Sequence, residues 1–263
     1  MRNSLLILLL VCSFRPVYSQ ELFQLAPPLL KYPSVFFENK TVAEIKFAQE
    51  GTTVHYTLNG QEPTLTDPVY TGPVSITQNL TILKAKAFGA AFLPSETAVA
   101  TFIKNGKRIK SLKYTLPHAA YPGNGEQTLI DNLGGVAQTG SKNWMGYQCD
   151  TVSIIVDLGK RKKVNSVLLH FLQSESAWIF LPEIIRIEGD NRKATGLQLL
   201  GTAQLKADKE TTGTHCRYRQ IKAIPKIKTR QLYITLLVPK EMPAWHAAKG
   251  QHAWIFIDEL KIY

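Results

Sequence analysis

The sequence predicts an all-β protein: a small β-sandwich followed by a larger jelly roll. Three observations predict it. Apolar residues recur with period two over short runs, turn residues separate those runs, and no segment carries a long helical period. A length of 263 residues is enough for two ordinary domains.

The chain opens Met1-Arg2-Asn3, runs apolar from Leu5 to Val11, and reaches a small-residue exit at Val17-Tyr18-Ser19. That is the pattern of a secretory signal peptide over residues 1–19. The apolar run is too short to span a bilayer, and no later stretch is long or apolar enough to be a transmembrane segment. The expected location is therefore secreted, periplasmic or at the cell surface. Cys12 raises lipidation, although Val11 precedes it where a small residue is wanted. Beyond residue 19 the cysteines are Cys149 and Cys216. In an oxidising compartment they can pair or remain as free buried thiols, and their spacing fits no zinc motif.

Residues 20–103 read as the small sandwich. Ala43–Phe47 and Val54–Leu58 alternate, and Asn59-Gly60 is a hairpin turn signal. Val74–Ile76 and Thr81–Phe88 follow. In the latter, Leu83, Ala85 and Ala87 share one face, and Ile82, Lys84, Lys86 and Phe88 the other. Thr97–Ile103 closes the unit. Residues 104–112, beginning Lys104-Asn105-Gly106-Lys107-Arg108, read as a short linker.

Residues 113–263 read as the jelly roll. Its expected strands are Thr151–Leu158, Val164–Leu172, Glu183–Glu188, Arg217–Ile224, Arg230–Val238 and Ala253–Tyr263. Ser153–Val156 and Tyr233–Val238 are apolar on both faces, which suits strands covered on both sides. Long loops, Leu133 to Cys149 and Pro239 to His252, offer ligand contacts over a rigid sandwich.

Charge is uneven. Residues 20–106 carry six lysines against seven acids, net −1; residues 107–263 carry 23 basic residues against 13 acids, net +10. A basic secreted domain attracts polyanions such as acidic glycans, unless the charge merely solvates a face. Nucleic acid is not the expected partner, because Lys160-Arg161-Lys162-Lys163, read as a loop between strands, has no interleaved aromatics.

Two local patterns carry resemblances. Val54-His55-Tyr56-Thr57-Leu58-Asn59-Gly60-Gln61-Glu62-Pro63-Thr64, then Tyr70-Thr71-Gly72-Pro73-Val74 and Thr81–Phe88, resembles the Ig-like fibronectin-III-associated domain. That domain is also called the chitobiase/β-hexosaminidase C-terminal domain. Tyr121-Pro122-Gly123-Asn124-Gly125, Leu129-Ile130-Asp131-Asn132, Trp144-Met145-Gly146, Val156-Asp157-Leu158-Gly159, Trp178–Pro182 and Trp254–Leu260 together resemble the galactose-binding-like jelly roll of the F5/8 type C, or discoidin, class. The order of the two modules is similar to the tail of bacterial family 20 β-hexosaminidases. Those enzymes carry catalysis on a preceding barrel of about 250 residues, and no such barrel is expected here.

The resemblance therefore implies a non-catalytic module, and the residues agree. Asp258 and Glu259 are the adjacent acids of an expected strand, and consecutive strand residues point to opposite faces, so they are not expected to flank one sugar. Asp157, before Gly159, suits a turn. No nucleophile elbow, HExxH or phosphate loop occurs. The jelly-roll resemblance implies a structural calcium, with Asp131 and Glu259 as its carboxylate ligands. The family has aspartate-glycine where this chain has Asp131-Asn132, and asparagine tolerates the required backbone angle less well. Sugar binding by such modules stacks aromatics on sugar faces. Trp178 and Trp254 lie in apolar runs and are expected in the core. Trp245 and Trp144 follow polar or proline-containing loop segments and are the expected platforms, with His246 reading a hydroxyl; alternatively these side chains clamp their loops.

The expected function is a carbohydrate-binding accessory module of glycan degradation, beside a separate glycoside hydrolase. The alternatives are a protein-interaction or adhesion module, and a non-catalytic component of a β-N-acetylhexosaminidase system.

Overall fold

The computed structural model describes residues 22–191, 196–205 and 211–263, so the expected signal peptide and Cys12 lie outside the described residues. The chain divides into two compact units: one holds residues through 35, 40–76 and 80–102, the other 36–39, 77–79 and 103 onward. Among the described residues no helix is long and apolar enough to cross a membrane.

The N-terminal strands are β1 (Leu29–Lys31), β2 (Phe36–Phe37), β3 (Thr41–Lys46), β4 (Thr52–Thr57), β5 (Val74–Ile76), β6 (Leu80–Gly89) and β7 (Ala98–Lys104). They form a three-stranded sheet of order β1-β3-β5 and a four-stranded sheet of order β2-β7-β6-β4. The alternation in β6 does what the sequence dictates. Leu83, Ala85 and Ala87 are fully buried, while Lys84 and Lys86 reach Glu62 on the other face. The turn at Asn59-Gly60 forms, with Gly60 at φ +80°, but it is not the expected tight hairpin. The chain returns through a wide loop, in which Tyr56 N–H donates to Pro68 O at 3.1 Å and Tyr70 N–H to Val54 O at 2.7 Å. Asp67 holds that loop by accepting from the backbone and hydroxyl of Thr64, both at 2.8 Å.

The second unit continues with β8 (Ser111–Tyr114), β9 (Met145–Tyr147), β10 (Thr151–Lys163), β11 (Ser166–Gln173), β12 (Ile184–Asp190), β13 (Leu197–Gln204), β14 (His215–Lys222), β15 (Lys228–Leu237) and β16 (Ile255–Ile262). Two antiparallel sheets, of order β13-β12-β15-β10-β8 and β14-β11-β16-β9, face each other. This is the predicted jelly-roll sandwich. Val152, Ile154 and Val156 from β10 and Leu232, Ile234 and Leu236 from β15 meet Val167, Leu169 and Phe171 from β11 and Ile255, Ile257, Leu260 and Ile262 from β16. Side chains of this size, each burying apolar area worth about 1.5–3 kcal/mol, hold the sheets together.

Two expectations are corrected. Lys160–Lys163 is not a loop: β10 passes an irregularity between Asp157 and Lys162, and its ladder resumes at Lys162–Thr229. A bulge bends a strand without ending it, and Arg161 secures the bend by donating to Asp190 and to Lys228 O. The strands covered on both faces are β11 and β16, buried at every position, rather than β10 and β15, where Ser153 and Glu188's neighbour Tyr233 remain at least partly accessible.

Candidate functional site

The second face of β11 and β16 is closed by the Gly-rich segment after Asp131. A bulge governs what lies there. His170 pairs with Glu259 and Phe171 with Ile257, so Asp258 is the extra residue. Cross-strand partners project to the same face, so Glu259 shares the face of His170, away from the core. Asp258 is there too, its Oδ1 2.5 Å from His170 Nδ1. The expectation that Asp258 and Glu259 oppose each other is corrected, since the bulge breaks the period of two. Their shared face is nevertheless closed. Gly135 N–H donates to Asp258 Oδ2, and both carboxylates are buried, at 1% and 2% exposure. No sugar ring fits between them.

Trp144 belongs to this buried layer. It is 1% exposed, its ring lies 5.0 Å from that of His170, and His170 stacks on Tyr218 at 4.2 Å. Its indole N–H donates to Val136 O at 3.0 Å. A stacking platform needs an open ring face, and Trp144 has none; it clamps its loop instead. Cys216 donates to Gly135 O at 3.5 Å in the same layer, and burial pushes its thiol up to about 12. Cys149 and Cys216 are free thiols.

Each residue expected to hold calcium has another partner on one of its oxygens. Asp131 Oδ1 accepts Leu133 N–H at 2.9 Å, closing a local turn. Asn132 takes φ +60°, so asparagine adopts the left-handed angle in place of glycine. Glu259 Oε2 lies 2.5 Å from the ammonium of Lys261, both side chains being buried. A calcium ion bound at about 2.3–2.6 Å from that carboxylate would crowd the ammonium with a second cation. Among the described residues no three His, Cys, Asp or Glu side chains converge as a metal group. Lys261 supplies the positive charge that a metal would bring.

Trp245 and His246 both make contacts that hold their loop. His246 Nδ1 accepts Ala248 N–H at 3.0 Å, which fixes the tautomer, so Nε2 carries the proton and donates to Glu175 O at 2.9 Å. Neither nitrogen is left for a hydroxyl. Trp245 is half-buried, its ring 6.1 Å from Phe180. The pair locks the 239–252 loop onto Phe180.

The open aromatics lie elsewhere. Ile255 and Ile257 point into the core, so parity sends Trp254 outward. Its half-buried ring meets Tyr121 edge-on at 5.4 Å and His118 at 5.1 Å. Tyr121 is 39% exposed and is placed by Gly146, which donates to Tyr121 O at 3.0 Å and accepts His118 N–H at 2.8 Å. A pocket beside Tyr121 is lined by Thr139, Ser141, Lys142 and the expected platform residue Trp144, which at 1% exposure presents no open ring face to it. Trp178, 38% exposed, is tied to Trp254 through a backbone bond of 2.9 Å. It sits at φ +65°, a conformation bulky residues rarely adopt. Trp178 was expected in the core; the short 3-10 turn Glu175–Ala177 before it turns it outward. Trp254 packs half-buried against the cluster of Trp144, Leu172, Ile179 and Phe256, as expected of a core residue, and its ring also meets Tyr121 and His118. Tyr121 and His118 are not among the site residues expected from the sequence. The alternation at Trp254–Ile257 and the turn at Pro122-Gly123 were the signals for them.

Residues 33–101 match the family model of the chitobiase/beta-hexosaminidase C-terminal domain, the resemblance read in the first sandwich. No curated protein matches the chain. The solved structures that the chain matches include the following three. A GH29 fucosidase of Ruminococcus gnavus in complex with fucose is 15% identical over 58% of this chain, with a TM-score of 0.32; the chain covers 25% of it. A chitosan-binding module from a chitosanase/glucanase of Paenibacillus sp. IK-5 is 14% identical over 59% of this chain and 94% of its own, with a TM-score of 0.36. The C-terminal domain of a chitobiase from Bacteroides fragilis is 17% identical over 59% of this chain and 91% of its own, with a TM-score of 0.34.

Proposed function

We propose that the protein binds carbohydrate without cleaving it, as a secreted accessory module of glycan degradation. The observation that carries this reading is the rim of His118, Tyr121 and Trp254 beside a pocket with Thr139, Ser141 and Lys142. Exposed rings supply apolar faces for sugar C–H groups, and the hydroxyl, ammonium and imidazole groups beside them hydrogen-bond sugar hydroxyls. Tyr121 and Trp178, at 39% and 38% exposure, offer rings on which a sugar face can stack. The family match of residues 33–101 supports a place in glycan degradation. The closed face over Asp258 and Glu259 supports a non-catalytic role.

A glycan array probed with the full chain and with Tyr121→Ala, Trp254→Ala and His246→Ala tests the site. One sugar class is bound, binding is lost with the first two variants, and His246→Ala retains it. Failure to bind any glycan, or full binding by Tyr121→Ala, would sink the reading.

A further inference from the structure

The second unit carries another pocket, away from the aromatic rim. Arg108, Lys110, Lys160 and Lys162 line it, with Leu158 and Gly159 beneath them. It lies at the far end of β8 and β10. Lys110 N–H bonds Asp157 O there, whereas Thr115 N–H bonds Ser153 O on the way to Tyr121. That separation is on the order of 13 Å along the strand.

The pocket's charges are held in place and form no ion pair of their own, although the Asp157 carboxylate lies near enough to feel the charge of Lys110. Lys162 Nζ donates to Arg108 O at 2.7 Å, which fixes its ammonium at the pocket. Lys107 joins the cluster: burial lowers its pKa, and the charge of Lys162 lowers it further. The nearest acids are committed to other partners. Asp157 takes both oxygens to Arg230, each at 3.1 Å, and accepts Gly159 N–H at 2.7 Å. Asp190 binds Arg161 and accepts the backbone N–H groups of Arg230 and Gln231. Among the described residues none of Lys107, Arg108, Lys110, Lys160 or Lys162 forms an ion pair with a carboxylate. Gathering like charges costs free energy that a bound anion recovers.

We propose that this cationic pocket is a second binding site, for an acidic polysaccharide bearing carboxylate or sulfate groups. Several cations in one pocket suit a polymer of repeated charge better than a single ion. No aromatic ring lines the pocket, so it lacks the stacking surface that single-stranded nucleic acid uses. The net charge of +10 over residues 107–263, from 23 basic residues and 13 acids, draws such a polymer to the unit.

Titration of the full chain with polygalacturonate, dextran sulfate, neutral dextran and single-stranded DNA tests the site. One or both acidic polysaccharides bind, and their ranking distinguishes carboxylate from sulfate recognition; neutral dextran does not bind here. Lys160→Glu with Lys162→Glu weakens binding by about tenfold or more, as expected when several charge contacts are lost. The exposed single change Lys160→Glu gives a smaller loss in a chain whose unfolding temperature is unchanged. Tyr121→Ala leaves this binding intact, so failure of the rim site and failure of this one are separable. The proposal is overturned if neither acidic polysaccharide binds, if the Lys160 and Lys162 variants bind as the parent does, or if DNA binds more tightly than both polysaccharides.

Discussion

Lys261 and Glu259 form an ion pair on the covered face of β16 that points away from the sandwich core, the ammonium 2.5 Å from the carboxylate and both side chains buried. They stand two apart on β16, so they project to the same face. Desolvating two charges is costly, and breaking such a pair strands one of them.

The unfolding temperature is therefore expected to be the same in millimolar calcium and in chelator. Lys261→Met, which strands the buried Glu259 carboxyl, is destabilising, by at most about 3–5 kcal/mol where that group is ionised and by less where it takes up a proton. Thermal and urea unfolding measure both effects. A rise of several degrees with calcium in the unmodified chain would restore a metal to this position.

The same pair sets a pH dependence. Burial pushes the Glu259 carboxyl up from 4.5 to about 7, against the pull of Lys261 in the other direction. Between those values the folded state holds a proton that the unfolded state has released. Its stabilising contribution is complete below the unfolded value, declines as pH rises, and is lost through the folded value. Glu259→Gln cannot titrate and is expected to flatten that part of the decline. Unfolding temperatures from pH 4 to 8 compare the two chains; parallel curves would contradict the assignment.

Gly146 is expected to be indispensable to the rim. A Cβ there would stand 2.8 Å from both Tyr121 Cβ and the Phe256 ring. Such crowding costs about 1–3 kcal/mol and shifts the neighbours. Gly146→Ala should therefore bind glycan at least about tenfold more weakly, a loss equal to about 1.4 kcal/mol, while remaining folded at 25 °C. Unchanged affinity would mean that Tyr121 does not depend on this contact.

The strands could be read from the sequence because alternation is local. Leu83, Ala85 and Ala87 in β6 and Val152, Ile154 and Val156 in β10 fall inward as their spacing requires. The site was harder to read because its residues depend on non-local events. The bulge at Asp258 arises from pairing with β11, and no period within β16 announces it. Trp144 follows a polar run that suggests exposure, yet the sheet beneath it and the loop around it bury the ring. Trp178 stands in an apolar run but turns outward on one left-handed residue. His246 offers hydrogen-bonding nitrogens whose partners, Glu175 O and Ala248 N–H, only the fold supplies.

Gly135 shows how closely that covering segment fits, and it gives a test of the closed face. A Cβ at Gly135 would fall inside the Trp144 indole, so alanine must lift the segment or displace the ring. Either movement strains the bond from Gly135 N–H to Asp258 and the contact from the Cys216 thiol to Gly135 O. In the parent chain Cys216 is half-buried and its thiol is pushed up to about 12 by burial, so thiolate is scarce and alkylation slow. Gly135→Ala is expected to raise the rate of Cys216 modification by iodoacetamide several-fold at pH 8, followed by peptide mass spectrometry. Cys149, which donates to Thr151 O at 3.4 Å in a different part of the unit, keeps its rate and serves as the internal control. Equal acceleration at both cysteines would indicate general loosening of the unit, and no acceleration would show that the segment does not seal the face over Asp258 and His170.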